Sequence, residues 1–482
     1  MGSTKHGTAA AIIAIIAIIL GGVVGSLVAF GPLYAMAGLV ALVVGLALLT
    51  STNLGVAIVL ATLTLLPFGT LPFKAIITPT LLSLALAGVF LVWVLRLLAR
   101  SDTYDLRLTP LGLPILGFLG VTLFSLMLGA GGMPDARTLH NYAKFVLGVV
   151  FFFTVVNIVR TRQQARFVFQ VLILCGGASA LVGLLLYSLP DETALHLLLT
   201  IGRIGYPTSG RVLRYVEDDP EGLERAIGTS VDPNSFGGML ALVGALTVAH
   251  LFSSRPALPR WLVGGCLALM GVALLLTFSR AALFGITGAL VYLATLRYRH
   301  LWWAMAGAGV LAVAGLVSLG LGESFAQRLS EGVQFQDQAQ QMRLAEYQNA
   351  LNIIGRYPLF GIGFGQAPEI DLVAGVSSIY LTIAERMGLL GLAAFLGIVG
   401  AWFVRLFRTM GTRDEEQSTW LLGTQAGLVA ALTVGLADHY FFNIEFSHMV
   451  ALFWGCLGLG SAVEQMDAAD YDHDYDHDHK VA

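Results

Sequence analysis

The stretch AAAIIAIIAIILGGVVGSLVAF (Ala9–Phe30) carries no charged residue from end to end. It exceeds the roughly eighteen apolar residues that cross the hydrocarbon of a bilayer. Lipid offers no hydrogen bonds to an open backbone, so a run of this kind must be helix. It is too long for the core of a cleaved signal peptide and leads straight into a second apolar run, which reads as a retained signal anchor. Similar windows recur near 33–50, 53–71, 76–95, 108–129, 143–159, 167–188, 233–252, 261–279, 281–296, 301–320, 377–404, 418–437 and 446–463. Composition agrees. The 482 residues are 56% hydrophobic and 12% charged, about half the charged share of a soluble domain. The expected fold class is therefore all-α, a polytopic integral membrane protein of about 12–14 transmembrane helices with two long extracytoplasmic loops.

That reading divides the chain into N-terminal transmembrane helices (1–188), a first long loop (189–232), central helices (233–321), a second long loop (322–376), C-terminal helices (377–464) and a tail (465–482). No internal repeat of the kind that marks inverted-repeat transporters is evident. A net charge of −3 gives no electrostatic reason to expect nucleic acid. Cys175, Cys266 and Cys456 all lie in apolar segments without metal-ligand spacing and read as small lipid- or core-facing residues. The tail MDAADYDHDYDHDHKVA alternates Asp and His. It reads as a disordered solubilising end, with weak zinc or nickel binding as the alternative.

Lysine and arginine set the orientation. With the N-terminus inside, the short cytoplasmic loops hold Arg96, Arg100 and Arg107, then Arg160, Arg162 and Arg166, then Arg255 and Arg260. Arg297 and Arg299 follow, then Arg405, Arg408 and Arg413. The short outer loops hold little beyond Lys74, Arg137 and Lys144. Both termini are therefore expected on the cytoplasmic side.

This topology bears on Arg280, which interrupts the apolar run LLLTFSRAALFGI (Leu274–Ile286). At mid-bilayer an arginine costs about 2.5–3.5 kcal/mol on insertion scales. Here helix 261–279 runs outward and 281–296 returns, so Arg280 sits at the apex of a hairpin at the outer face. Two readings stand: a snorkelling interfacial arginine, or an anion site facing a cavity. The long outer loops favour the second, since they carry Arg203, Arg211, Arg214 and Arg225, then Arg328, Arg343 and Arg356, against the orientation rule. Paired arginines grip a diphosphate through several charge-assisted bonds.

Four stretches in this order resemble the O-antigen ligase/polymerase family of bacterial membrane glycosyltransferases. RAIGTSVDPNSFGGMLAL (Arg225–Leu242) resembles its arginine and Pro-Asn element opening a helix, and TFSRAALFG (Thr277–Gly285) its Ser-Arg hairpin. RLAEYQNALNIIGRYPLFGIGFGQ (Arg343–Gln366) is similar to the segment ending in Pro-Leu-Phe-Gly-x-Gly. SSIYLTIAERMGLLGL (Ser377–Leu392) resembles the His-Asn-x-Tyr-Leu helix start with its Glu-x-Gly-Leu-Leu-Gly. Each motif alone is weak; their order and shared placement make the set specific. The resemblance implies transfer of sugar chains from undecaprenyl diphosphate to a hydroxyl acceptor at the outer face of the bacterial inner membrane, with no metal and no cofactor. It implies that Arg225 and Arg280 hold the donor diphosphate. Arg343 either contacts a phosphate or sugar or anchors an amphipathic loop helix, whose Leu344, Tyr347, Leu351 and Ile354 recur at helical spacing.

One position departs from that pattern. Where ligases carry a histidine, this chain has Ser377, a poor base near neutral pH. Candidate substitutes are His439 beside Asp438 in ADHYFFNIEF, and Glu369 and Asp371 just before Ser377; each also reads as a solvated loop residue. Glu385 and Arg386 lie two turns inside a span, where charges mark a pathway or a structural partner; Glu385 reads as structural, with catalysis the alternative, and neighbouring helix positions need not pair with each other. Asp232 is expected to cap a helix that opens with Pro233, whose N-terminus would assist Arg225.

The expected activity is polymerisation of undecaprenyl-diphosphate-linked repeat units, an O-antigen or exopolysaccharide polymerase. A ligase passing finished glycan to lipid A core or protein is the alternative, and a polysaccharide transporter or flippase is the reading from another class. Expected partners are the lipid-linked oligosaccharide, membrane lipid and other assembly proteins such as a flippase or chain-length regulator.

Overall fold

The computed structural model describes residues 45, 51–71, 79–99, 106–208, 210–318, 338–365 and 375–466. The expected spans 8–30 and 33–50 (residue 45 excepted), most of the 322–376 loop before residue 338, Glu369, Asp371 and the tail from 467 lie outside these residues. Elsewhere every apolar window forms a helix: α1 (Thr52–Leu65), α2 (Leu81–Ala99), α3 (Gly112–Leu128), α4 (Ala136–Ile158) and α5 (Arg162–Ser188). A short helix α6 (Asp191–Ile201) and two strands, β1 (Arg214–Tyr215) and β2 (Glu224–Arg225), occupy the first long loop. There follow α7 (Pro233–Phe252), α8 (Arg260–Leu276), α9 (Arg280–Leu296), α10 (His300–Ser318), α11 (Gln338–Arg356), α12 (Ile379–Met410), α13 (Glu415–Val434) and α14 (Ser447–Glu464). Among the described residues, five helices are long and apolar enough to span a bilayer, and four shorter apolar ones accompany them. The protein is an all-α polytopic membrane protein.

Three helices make the centre. α7, α13 and α14 are buried on nearly every face, the pattern of helices surrounded by other helices rather than by a single core on one side. α13 packs on α7 and α14 on α4. Gly423 and Gly427, one turn apart on α13, lie against the backbone carbonyls of Leu246 and Leu242, letting the two helices approach as membrane helices with small residues do. The outer helices keep large apolar side chains exposed, among them Trp261, Phe284 and Trp303, as lipid contact requires.

Local signals start the helices where they do. Asp232 accepts from the amides of Asn234 and Ser235 at 2.8 and 3.0 Å and Pro233 opens the first turn, as the sequence predicts. Thr161 and Gln164 form a capping box at the head of α5. α11 packs through one face and leaves part of its leucine stripe exposed. Ala350 and Ile353 are buried with Glu346, Tyr347 and Ile354 beside them, whereas Leu344 and Leu351 are exposed. The docked face is set by contact with α12, not by the leucine stripe.

The ends of the bundle differ. At one end the arginines that set the orientation meet acids at the head of α13 and the foot of α14. Arg162 pairs with Asp414, Arg297 with Glu415, Arg166 with Glu416 at 2.5 Å and Arg405 with Glu464 at 2.6 Å. The family-like motifs gather at the other end.

Candidate active site

The chain approaches the motif end through β2, which pairs antiparallel with β1 so that Arg225 lies opposite Arg214. From there the Ala226 amide donates to Leu276 O at 2.8 Å and Thr229 Oγ donates to Leu65 O at 2.8 Å. These bonds tie the strand to the ends of α8 and α1. Arg225 is thereby aimed at the turn between α8 and α9: its Nε donates to Thr277 O at 2.8 Å and its Nη2 to Asn234 Oδ1 at 2.7 Å. Burial lowers its pKa, while the charges of Asp232, Tyr440 and Asp438 act in the opposite direction.

The α8–α9 turn is as tight as the sequence predicts. Phe278 takes a left-handed φ of 51°, Ser279 caps α9 through the Ala282 amide, and Arg280 is the first helical residue, exposed at the apex. Val231, just before the Asp232 cap, also has a positive φ, 67°. For a β-branched residue that backbone is costly, and strained positions of this kind cluster at functional sites. Arg225 reaches the carbonyl three residues before Arg280, so the two arginines share one turn of the structure.

A second group faces this one from the C-terminal half. α12 is broken at Gly388, whose φ is 69°. The break frees carbonyls that a helix would use internally, and the segment after α11 docks onto them: the Ile362 amide donates to Glu385 O and the Gly363 amide to Arg386 O, both at 3.0 Å. The Leu389 amide returns the contact to Pro358 O at 2.7 Å. Gly361, at φ 65°, sits against the Glu385 carbonyl where a Cβ would collide with it; only glycine supplies both that backbone and that approach. Glu385 and Arg386, which as helix neighbours need not pair, do pair, at 3.5 Å. Arg386 also donates to Gly363 O at 3.3 Å and Gly365 O at 2.6 Å, and Glu385 accepts from the Gly375 amide at 3.0 Å. Glu385 thus holds the chain at Gly375 while Arg386 holds it at Gly363 and Gly365.

Between this segment and the last loop lies a cavity of about 370 Å³, lined by Glu346, Ser377, Arg386, His439, Phe442 and Asn443 among others. Its size falls within the range of small-molecule sites. Ser377 is bound to Glu346, with Oγ donating to Glu346 Oε2 at 2.7 Å and the Ser377 amide donating to the same oxygen at 3.0 Å. Tyr347 donates to Ser377 O and to Leu436 O, each at 3.2 Å, fastening α11 across the top of α12 and the end of α13.

Asp438 and His439 do not form a carboxylate–imidazole dyad. Asp438 Oδ1 accepts from the His439 backbone amide at 2.9 Å, and His439 Nδ1 is buried with no partner among the described residues. Burial, with the nearby charge of Asp232, pushes the Asp438 carboxyl up to about 8; its bond from His439 and the charges of Arg343 and Arg225 oppose this. Burial also holds the His439 imidazole below its ordinary value. The charges of Asp232 and Glu346 act upward on it, those of Arg343 and Arg386 downward. Near neutral pH the pair is therefore a protonated carboxyl beside a neutral imidazole. Tyr440 is raised well above its ordinary value by burial, then by Asp232 and Asp438.

The structure thus brings Arg225, Arg343, Asp438, His439 and Ser377 to one end of the bundle, with Arg280 at the adjoining hairpin. Sequence reasoning missed Glu346. A signal existed: in RLAEYQ it falls one helical turn after Arg343, so both side chains share a face.

No curated protein matches the chain. Residues 265–396 match a family model described as O-Antigen ligase. The matched span runs from α8 into α12 and includes Arg280, Arg343, Glu346, Ser377 and Arg386, while Arg225 and His439 lie outside it. Through this segment, about a quarter of its length, the chain is similar to the O-antigen ligase family.

Proposed function

We propose that this protein is a polymerase that joins oligosaccharide repeat units carried on undecaprenyl diphosphate, working at the outer face of the bacterial inner membrane. The observation that carries the reading is convergence. Arg225, Arg280, Arg343 and Ser377, spread over nearly a third of the chain, gather at one end of the bundle, where Ser377 lines a cavity. The opposite end holds the paired arginines that favour the cytoplasmic side.

In this reading the acceptor hydroxyl attacks the anomeric carbon of the donor sugar, and the bond from that carbon to the diphosphate oxygen breaks. The departing lipid diphosphate gains negative charge, which fixed cations stabilise more in the transition state than in the ground state. Arg225 and Arg280 fill this role, with Arg343 adding positive charge to the same end. Arginine keeps its proton at any working pH. Asn234 and Thr277 O hold the Arg225 fork in position without cancelling its charge.

The alternative is a ligase that hands finished glycan to lipid A core or protein, favoured by the description of the matched family. Ser377 in place of the ligase histidine favours polymerase. Surface polysaccharide from a deletion strain separates the two. Lipid-linked single repeats, or acceptors capped by a single repeat, identify a polymerase. Long lipid-linked chains that never reach their acceptor identify a ligase and overturn the proposal.

A further inference from the structure

We infer that Glu346 is the proton acceptor of this transfer, with Ser377 as the residue that positions its carboxylate; the inference rests on the glycosyl-transfer reading. The geometry is specific. Glu346 lies on α11 at the wall of the 370 Å³ cavity. Its Oε2 receives both the Ser377 hydroxyl at 2.7 Å and the Ser377 amide at 3.0 Å. Two donors on one oxygen fix the rotation of the carboxylate, and the second oxygen, Oε1, keeps its own lone pairs for a proton.

Three further observations support the assignment. Ser377 cannot serve alone, because its hydroxyl donates to Glu346 and its own basicity is poor. α11 is held by Tyr347 to both Ser377 and Leu436, so the carboxylate is carried on a fastened element, as a catalytic group requires. The remaining cavity groups offer weaker candidates. Arg386 is spent on the carbonyls of Gly363 and Gly365, and Asp438 keeps its proton up to about 8. His439 is the competitor, since it reaches the same cavity, but no carboxylate orients its ring and Nδ1 is unpartnered among the described residues.

The step balances as a single displacement. The acceptor O–H proton passes to Glu346 Oε1 as the new bond from oxygen to the anomeric carbon forms. The old carbon–oxygen bond breaks, and its electron pair leaves on the lipid diphosphate beside Arg225 and Arg280. The proton then passes from Glu346 to solvent. The cavity is accordingly assigned to the sugar of the acceptor, and the arginine turn to the diphosphate of the donor.

The test uses the full chain reconstituted in lipid bilayers, with lipid-linked repeat units extracted from a strain lacking the enzyme. Glu346→Gln is expected to lower kcat by about 10²-fold or more while leaving KM within twofold, and Glu346→Asp to recover part of the loss. Ser377→Ala is expected to lower kcat several-fold and Ser377→Thr, which keeps the hydroxyl, to restore it. A base at the opposite partner is the sharpest check: Ser377→His in the Glu346→Gln background is expected to raise kcat again, whereas a merely structural glutamate would not be rescued. Glu346→Gln working at the wild-type rate, in an enzyme that Arg225→Ala silences, overturns the assignment of the base alone. So does loss of activity confined to His439→Gln. Wild-type protein that extends no repeat unit overturns the transferase reading, and this assignment with it.

Discussion

Arg162, Arg166, Arg297 and Arg405 at one end of the bundle, and Arg225 and Arg386 at the other, are all held by hydrogen bonds, but by different partners. The first four meet Asp414, Glu416, Glu415 and Glu464. Arg225 meets a carbonyl and a side-chain amide. Arg386 meets two carbonyls and stands 3.5 Å from Glu385. A carboxylate both orients a guanidinium and cancels its charge; a carbonyl orients it and leaves the charge for a ligand. The titration behaviour of Asp438 extends the contrast, because a carboxyl that keeps its proton to about 8 sits close to Arg225 and Arg343 without neutralising them. Carboxylates thus hold the arginines of the first end, whereas a carbonyl and an amide hold Arg225, which in the proposed reading leaves its charge to an anion.

The largest expected effect tests that contrast directly. Arg225→Ala should lower transfer by about 10²–10³-fold with the protein still folded, and Arg225→Lys should recover only part because the planar fork is lost. Arg166→Ala, at the other end, should leave kcat unchanged. It should cost stability by roughly 1–3 kcal/mol, since Glu416, 4% exposed, would lose its partner. Thermal unfolding in detergent and transfer assays on both variants check the division; equal loss of activity at the two ends would erase it.

Gly388→Ala attacks the broken helix that carries the site. Its φ of 69° and the approach of Leu359 O leave no room for a Cβ, so the docked Pro358–Gly363 segment should detach. A stability loss of about 3 kcal/mol together with lost transfer is expected. Retained activity would show that the docked segment does not hold the cavity wall.

Asp438→Asn probes the protonated carboxyl. In the folded protein Asp438 keeps its proton to about 8, whereas its ordinary value is 3.8. Its contribution to stability is therefore complete below about 4 and is lost as pH rises toward 8, with a slope of up to ~1.4 kcal/mol per pH unit. The wild-type melting temperature should fall over that window relative to Asp438→Asn. Parallel profiles would mean that the carboxyl ionises and cancels arginine charge after all. The smallest effect is expected at Leu351→Ser on the exposed face of α11: within about 0.5 kcal/mol in detergent.

Residues 233–252 and 280–296 show how far the chain's own pattern reaches. Uninterrupted apolar length, an Asp-Pro start and a Ser-Arg turn marked both helices almost to the residue, because a bilayer allows only helix for such runs and caps announce their ends. The arginine bias sorted the two ends of the bundle for the same reason: a charge in hydrocarbon is expensive wherever the neighbouring helices lie. The bond of Glu346 to Ser377 and the pairing of Glu385 with Arg386 were not legible in that way. The pair lies beside the break at Gly388, where carbonyls turn outward and a segment from beyond α11 docks on them, and the bond joins α11 to the head of α12. Contacts between residues far apart in the chain decide these features. Span, end and hairpin were determined by sequence alone, since solvation acts on each segment separately. The assembly of a glutamate, a serine and a carbonyl-held arginine around one cavity was decided only when the segments packed.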